Sequence, residues 1–161
     1  MPETSTRQFL RYWLPAILWL SLIASTSSDL FSAQHTGRIL DLLLSALSIH
    51  MTWQHVYLLH FLIRKSAHFT EYLVMSYLWY RAGQSGRQEW RLSSVLLALG
   101  VCLLLASLDE WHQSFLPSRT GAFRDVVLDF SGALATQVVI AWRARRAARA
   151  QKRSAPEDGR A

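Results

Sequence analysis

The run Leu92–Leu108, "LSSVLLALGVCLLLASL", holds seventeen residues without a single charge. As an α-helix it rises about 25 Å, close to the roughly 30 Å hydrocarbon core of a bilayer. A helix that is apolar on all sides must be buried all round, in protein or in lipid. A chain of 161 residues is one domain's worth and offers little protein to bury it in. The rest of the sequence agrees. About half of it is hydrophobic and only 17% is charged, where about a quarter is ordinary for a soluble domain.

Three further apolar blocks accompany this run: Tyr12–Ala24, Ser66–Tyr80 and Phe123–Trp142. The block Ser66–Tyr80 gives only about 22 Å of helix. To cross a bilayer it must start earlier and recruit "YLLHFLI", from Tyr57 onward. The reading is therefore an all-α integral membrane four-helix bundle with spans at 12–28, 57–81, 92–108 and 123–142. Between the first two spans, "TGRILDLLLSALS" has helically spaced leucines interrupted by Arg38 and Asp41. It is too short and too polar to cross, so an additional interfacial or re-entrant helix is expected there. Residues 1–142 form one transmembrane domain. Residues 143–161 form a basic tail, helical at first and disordered beyond. Small residues after Ala24 also allow a cleaved signal peptide, but Tyr12 and Trp13 at the entry favour a retained helix with an interfacial belt.

Charge sets the direction. With the N-terminus inside, the cytoplasmic segments carry Arg7, Arg11, Arg81, Arg87, Arg91 and the seven basic residues after Trp142, twelve in all. The opposite side carries five: Arg38, Arg64, Lys65, Arg119 and Arg124. That bias places both termini on the cytoplasmic side of the membrane. The net charge of +6 is concentrated in the tail beside a hydrophobic helix, with no nucleic-acid motif, so no nucleic-acid partner is expected. The single cysteine, Cys102, cannot form an internal disulfide.

Against this background the segment "RKSAHFTEY", Arg64–Tyr72, is out of place. His60, Arg64, His68 and Glu71 lie at helical spacing along one stripe, bordered by Lys65 and Tyr72. The third span ends in "DEWHQ", with Asp109 and Gln113 one turn apart and Glu110 beside them. The fourth opens with Asp125 and Asp129, again one turn apart. Three segments thus bring charge to one membrane depth. A charge facing lipid costs at least about 2.5–3.5 kcal/mol, so these groups must pair or line a wet cavity. Lys65 is expected to pair with Glu71 or Asp109, and Arg119 and Arg124 with Asp125 and Asp129. Helix-packing ion pairs without a ligand are the plain alternative.

The cluster fits several chemistries unequally. A His-x-x-Glu pair without HExxH or CxxC does not define a metal site, and no metal or cofactor is expected. Ser118 has no nucleophile-elbow motif around it. "SRTGAFRDVVLD" has the Ser-Arg-x5-His-x3-Asp spacing of type 2 phosphatidic acid phosphatases. Asp125 stands where their nucleophilic His belongs, and their Pro-Ser-Gly-His companion is missing, so that reaction is excluded. The shared physics is an Arg near the interface that can hold phosphate bidentately. An outward-facing cavity follows as the expected site, binding an anionic lipid or a lipid-linked envelope precursor by its headgroup. Arg64, Lys65, His68, Glu71, Tyr72, Asp109, Glu110, Gln113, Arg119, Asp125 and Asp129 are its candidate residues. Lys65 and Arg119 would hold phosphate, the carboxylates would accept sugar or amide protons, and His68 would titrate near neutral pH. A membrane-embedded enzyme is the first alternative, with Glu110 or Asp125 as general base and His68 as acid. A structural or assembly factor is the second.

At "RKSAHFTEY" and at "SLDEWHQSFLPSRTGAFRDVVLDFSGAL" the sequence resembles the VanZ-like family of bacterial membrane proteins. The order and separation of the two motifs also fit. Lys65, His68, Glu71, Tyr72, Asp109, Glu110, Gln113, Arg119, Asp125 and Gly132 match the family's recurring positions. Asp129 stands where the family often has Asn, and Thr136 where a Gly is common. The resemblance implies a cell-envelope setting and a link to resistance against the glycopeptide teicoplanin. It implies no particular reaction.

Overall fold

The computed structural model describes residues 5–26, 42, 44–48, 51–115 and 122–154. Every regular element among them is helical. Helix α1 covers residues 5–26. It opens as a short α-helix (Ser5–Gln8), loosens into a π-helical turn (Phe9–Trp13) and continues as an α-helix (Leu14–Thr26). Helix α2 is Trp53–Gln84, α3 is Leu92–Gln113 and α4 is Phe123–Ser154. The interfacial or re-entrant helix expected after α1 falls largely outside the described residues. Leu42 and residues 44–46 are helical.

Each helix is longer than the apolar block that announced it. Helix α2 begins at Trp53, four residues before the start that membrane thickness demanded. Its 32 residues measure about 48 Å. Helix α3 runs past Leu108 to Gln113, carrying Asp109, Glu110 and His112 on its last turns. Helix α4 does not stop at Trp142 but continues through the basic segment to Ser154. Among the described residues, two helices are long and apolar enough to cross a membrane: α3 and the stretch Phe123–Arg153 of α4. Helix α2 carries Arg64, Lys65 and Glu71 within its length, and the π turn interrupts α1.

The end of α2 shows how the chain reverses. Ser85 adopts a left-handed conformation (φ 47°) and its amide returns to the Arg81 and Ala82 carbonyls. Gly86 follows at φ 86°, a conformation that glycine reaches without the steric cost other residues meet. A side chain there would also collide with the Tyr12 hydroxyl, 2.8 Å from the position of a Cβ. This turn sets α3 antiparallel to α2. Helix α4 then packs against both, its longest seam being with α2. Among the described residues, the α1 backbone approaches only α2.

The core is small and built from small side chains. Tyr72 and Met75 of α2, Cys102 and Ala106 of α3, and Val126 and Ala133 of α4 meet in one cluster that Ile23 of α1 joins. At Gly132 a Cβ would run into the Phe69 carbonyl oxygen, and would stand 3.4 Å from the Leu73 amide nitrogen. The α2 and α4 backbones therefore touch here, as small residues allow in helix pairs that lack a hydrophobic driving force. The outward faces are apolar instead: Leu96, Leu103 and Leu104 of α3 and Val138 of α4 are all exposed. Soluble monomers rarely leave such continuous apolar surface bare.

Candidate functional site

The polar residues gather along the α2–α4 seam and at the end of α3. Lys65 forms an ion pair with Asp125, with about a quarter of each side chain exposed. This corrects the expected pairing, in which Lys65 joined Glu71 or Asp109 and Asp125 joined an arginine. The reason is topological. Asp125 lies in the first turn of α4, and α4 is the helix that α2 embraces most closely. Arg124 points outward and is exposed. Arg119 lies outside the described residues, so the expected phosphate partner is not placed.

One turn further along the seam, His68 Nδ1 lies 3.6 Å from Asp129 Oδ1. That is an electrostatic contact rather than a hydrogen bond. Asp129 is 2% exposed, and its Oδ1 has no hydrogen-bond donor among the described residues. A buried carboxylate left in this way is costly unless a proton, a water or a ligand completes it. The His60 ring Nε2, two turns before His68, is likewise buried without a partner among the described residues. Arg64 is half-buried beside Lys65, and the Lys65 ammonium stands 5.5 Å above the Phe61 ring.

The end of α3 is tied into this region. Glu110 Oε2 accepts a hydrogen bond from the Ala122 amide at 2.6 Å. A carboxylate from one helix thus satisfies a backbone donor at the start of the next, where free amides and the helix dipole favour negative charge. Gln113, only 3% exposed, donates to Asp109 Oδ2 at 2.7 Å. Glu71, Asp109 and Asp129 come from three different helices and lie within electrostatic reach of one another. Among the described residues, no three of His, Cys, Asp and Glu group closely enough to hold a metal ion.

Beside the charged seam lies a cavity of about 270 Å³. Helix α1 contributes Leu20, Ile23 and Ala24 to its wall, and α2 contributes Tyr72 and Met75. Leu105, Leu108, Asp109 and His112 of α3 complete it. Of the sequence-predicted residues, only Tyr72 and Asp109 face this space. Lys65, His68, Asp125 and Asp129 lie along the neighbouring seam, with Glu110 at the α3–α4 junction. The expected single polar pocket is thus two adjoining places, a charged seam and a mostly apolar crevice, and Asp109 belongs to both.

Sequence reasoning missed a second set of polar residues deeper in the same seam. Ser76 donates to the Ala133 carbonyl at 3.0 Å, and Thr136 donates to the Leu73 carbonyl at 2.8 Å. Gln137 donates to Ser76 Oγ at 2.7 Å. The signal was present in the spacing. Asp125, Asp129, Gly132 and Thr136 recur at three or four residues along one α4 face, with Gln137 next to Thr136. Trp19 was missed too. Its indole N–H donates to the Glu71 carbonyl at 3.1 Å and pins α1 onto α2 beside the crevice.

The arrangement defines a class: a small all-helical protein with two membrane-crossing candidates, apolar outer faces and charge gathered at one end. The chain belongs to the VanZ/LLP1 family, whose model matches residues 12–144. That match takes in α1 from its π turn onward, all of α2 and α3, and α4 as far as the start of its basic extension. No curated protein and no solved structure matches it.

Proposed function

We propose that this protein is a four-span inner-membrane protein with cytoplasmic termini whose outer end binds an anionic lipid or a lipid-linked envelope precursor by its headgroup. Family membership and the two apolar helices support the membrane setting. The observation that carries the binding role is the Lys65–Asp125 pair. An ammonium has three donors. Asp125 takes one, holds Lys65 at the seam and leaves the others for a phosphate. A pair kept only for packing is better replaced by apolar side chains, and this one remains partly open to its surroundings. Asp109 and Glu71 stand ready to accept protons from sugar or amide groups. Through capture of such a lipid the protein contributes to glycopeptide resistance at the envelope.

The enzyme reading is weakened at two of its three candidates. Glu110 is engaged by a backbone amide and Asp125 by Lys65. The His68–Asp129 contact is the arrangement that would favour it, since a carboxylate behind an imidazole orients a general acid or base. Native mass spectrometry of the protein released from mixed phosphatidylglycerol and phosphatidylcholine micelles tests the binding role. The expected result is preferential retention of phosphatidylglycerol, reduced at least tenfold in Lys65→Ala. Equal retention of both lipids, unchanged in the variant, refutes it.

A further inference from the structure

The crevice between α1, α2 and α3 is not explained by headgroup binding. Its walls are Leu20, Ile23, Met75, Leu105 and Leu108, and it becomes polar only where Asp109 and His112 close one end. Its volume of about 270 Å³ lies just under the range of roughly 300–1,000 Å³ typical of sites for drug-sized ligands. A disaccharide–peptide headgroup is too large for it, and too polar for its walls. On α3 the exposed Leu104 stands one turn before the lining residue Leu108 and extends that apolar wall outward. The α1 backbone keeps away from α3, so the space between them opens sideways. The crevice thus runs from an apolar mouth to a polar end beside the charged seam, the polarity gradient of a lipid that enters sideways from the bilayer and keeps its head at the polar end.

From this gradient we infer that the crevice is a slot for a single hydrocarbon chain of the bound lipid. The chain lies between α1 and α3 against Met75, and its head emerges at Asp109 and His112 toward Lys65. This rests on the headgroup reading above and narrows the ligand to amphiphiles that can present one chain apart from any other. Tyr72, 1% exposed, stands where slot and seam meet and sets how far the chain enters. Trp19 holds the α1 wall in place through the Glu71 carbonyl.

A monoalkyl phosphate with a diazirine at its chain end, added to the full-length protein in phosphatidylcholine nanodiscs, tests the inference. Photolysis and peptide mapping are expected to place the label on residues 20–24 and 105–108. Ala24→Phe fills the mouth and is expected to lower that labelling at least tenfold, with Ala24→Leu intermediate. Ala24 is exposed on α1, so neither change should move the thermal melt. Label spread over Leu96, Leu103 and Leu104, with no effect of Ala24→Phe, overturns the slot and assigns the crevice to the chain's own segments. Labelling confined to the crevice but equally strong in Lys65→Ala upholds the slot and removes the headgroup reading instead.

Discussion

The α2–α4 seam has two stretches that share geometry and differ in chemistry. In the deep stretch, Ser76, Thr136 and Gln137 are neutral, buried and bonded to carbonyls or to one another across the seam. Near its end, Lys65, His68, Asp125 and Asp129 put charge at the same helical spacing, and the Lys65–Asp125 pair is still partly exposed. The deep stretch is what helix packing in lipid asks for: small side chains, close backbones and neutral polar groups bonded across the seam, though Gln137 Oε1 has no hydrogen-bond partner among the described residues. The charged stretch does that job at higher desolvation cost and leaves Asp129 Oδ1 without a donor. The contrast separates polarity that holds helices together from polarity that is held out for something else.

The sharpest way to break this contrast is at its boundary. Gly132→Ala drives a methyl group into the Phe69 carbonyl, where backbone meets backbone. Alanine normally favours a helix interior over glycine by about 1 kcal/mol. Here the sign reverses, and thermal unfolding in detergent should show a loss of about 3 kcal/mol. Ser76→Ala, in the deep stretch, removes a donor to Ala133 and an acceptor for Gln137. A loss of about 1–2 kcal/mol is expected in the same assay, with phosphatidylglycerol retention unchanged. Lys65→Ala reverses that pattern. Its partly exposed pair contributes about 1 kcal/mol at most, while retention of the anionic lipid falls at least tenfold. If Lys65→Ala destabilises as much as Ser76→Ala and spares lipid binding, both stretches are packing and the distinction collapses. The smallest effect is expected of Glu110→Gln. The amide oxygen can still accept the Ala122 N–H, so the melt should shift by about 0.5 kcal/mol or less. A loss of turnover on a lipid-linked substrate in this variant would instead revive the enzyme reading.

The helices were legible wherever hydrophobicity was uninterrupted. Leu92–Leu108 announced α3, and the helix expected to start near Tyr57 ahead of Ser66–Tyr80 starts at Trp53. The extra turns at the end of α3 were not, because charged residues such as Asp109 continue a helix without any apolar signal, whereas the helical start of the basic tail was expected. The candidate cluster was legible as membership but not as pairing. Spacing along α2 and α4 identified Lys65, His68, Asp125 and Asp129 as facing inward. Which cation meets which anion depends on which helices are neighbours, and a single sequence does not encode that directly. Ser76 and Gln137 escaped notice because neutral polar residues are common in apolar helices, and only their helical register gives them away, Ser76 in line with His68 and Tyr72 on α2 and Gln137 beside the Asp129 face of α4. The crevice was invisible because it is a gap between leucines from separate helices.

Among the described residues, the backbone of α1 approaches α2 and no other helix. During synthesis the chain emerges from its amino end, so α1 leaves the ribosome before the surface it rests on exists. Trp19 waits for the Glu71 carbonyl, which follows 52 residues later. Helix α1 is thus made well before its partner, and a nascent chain halted before residue 71 would lack the acceptor for the Trp19 indole.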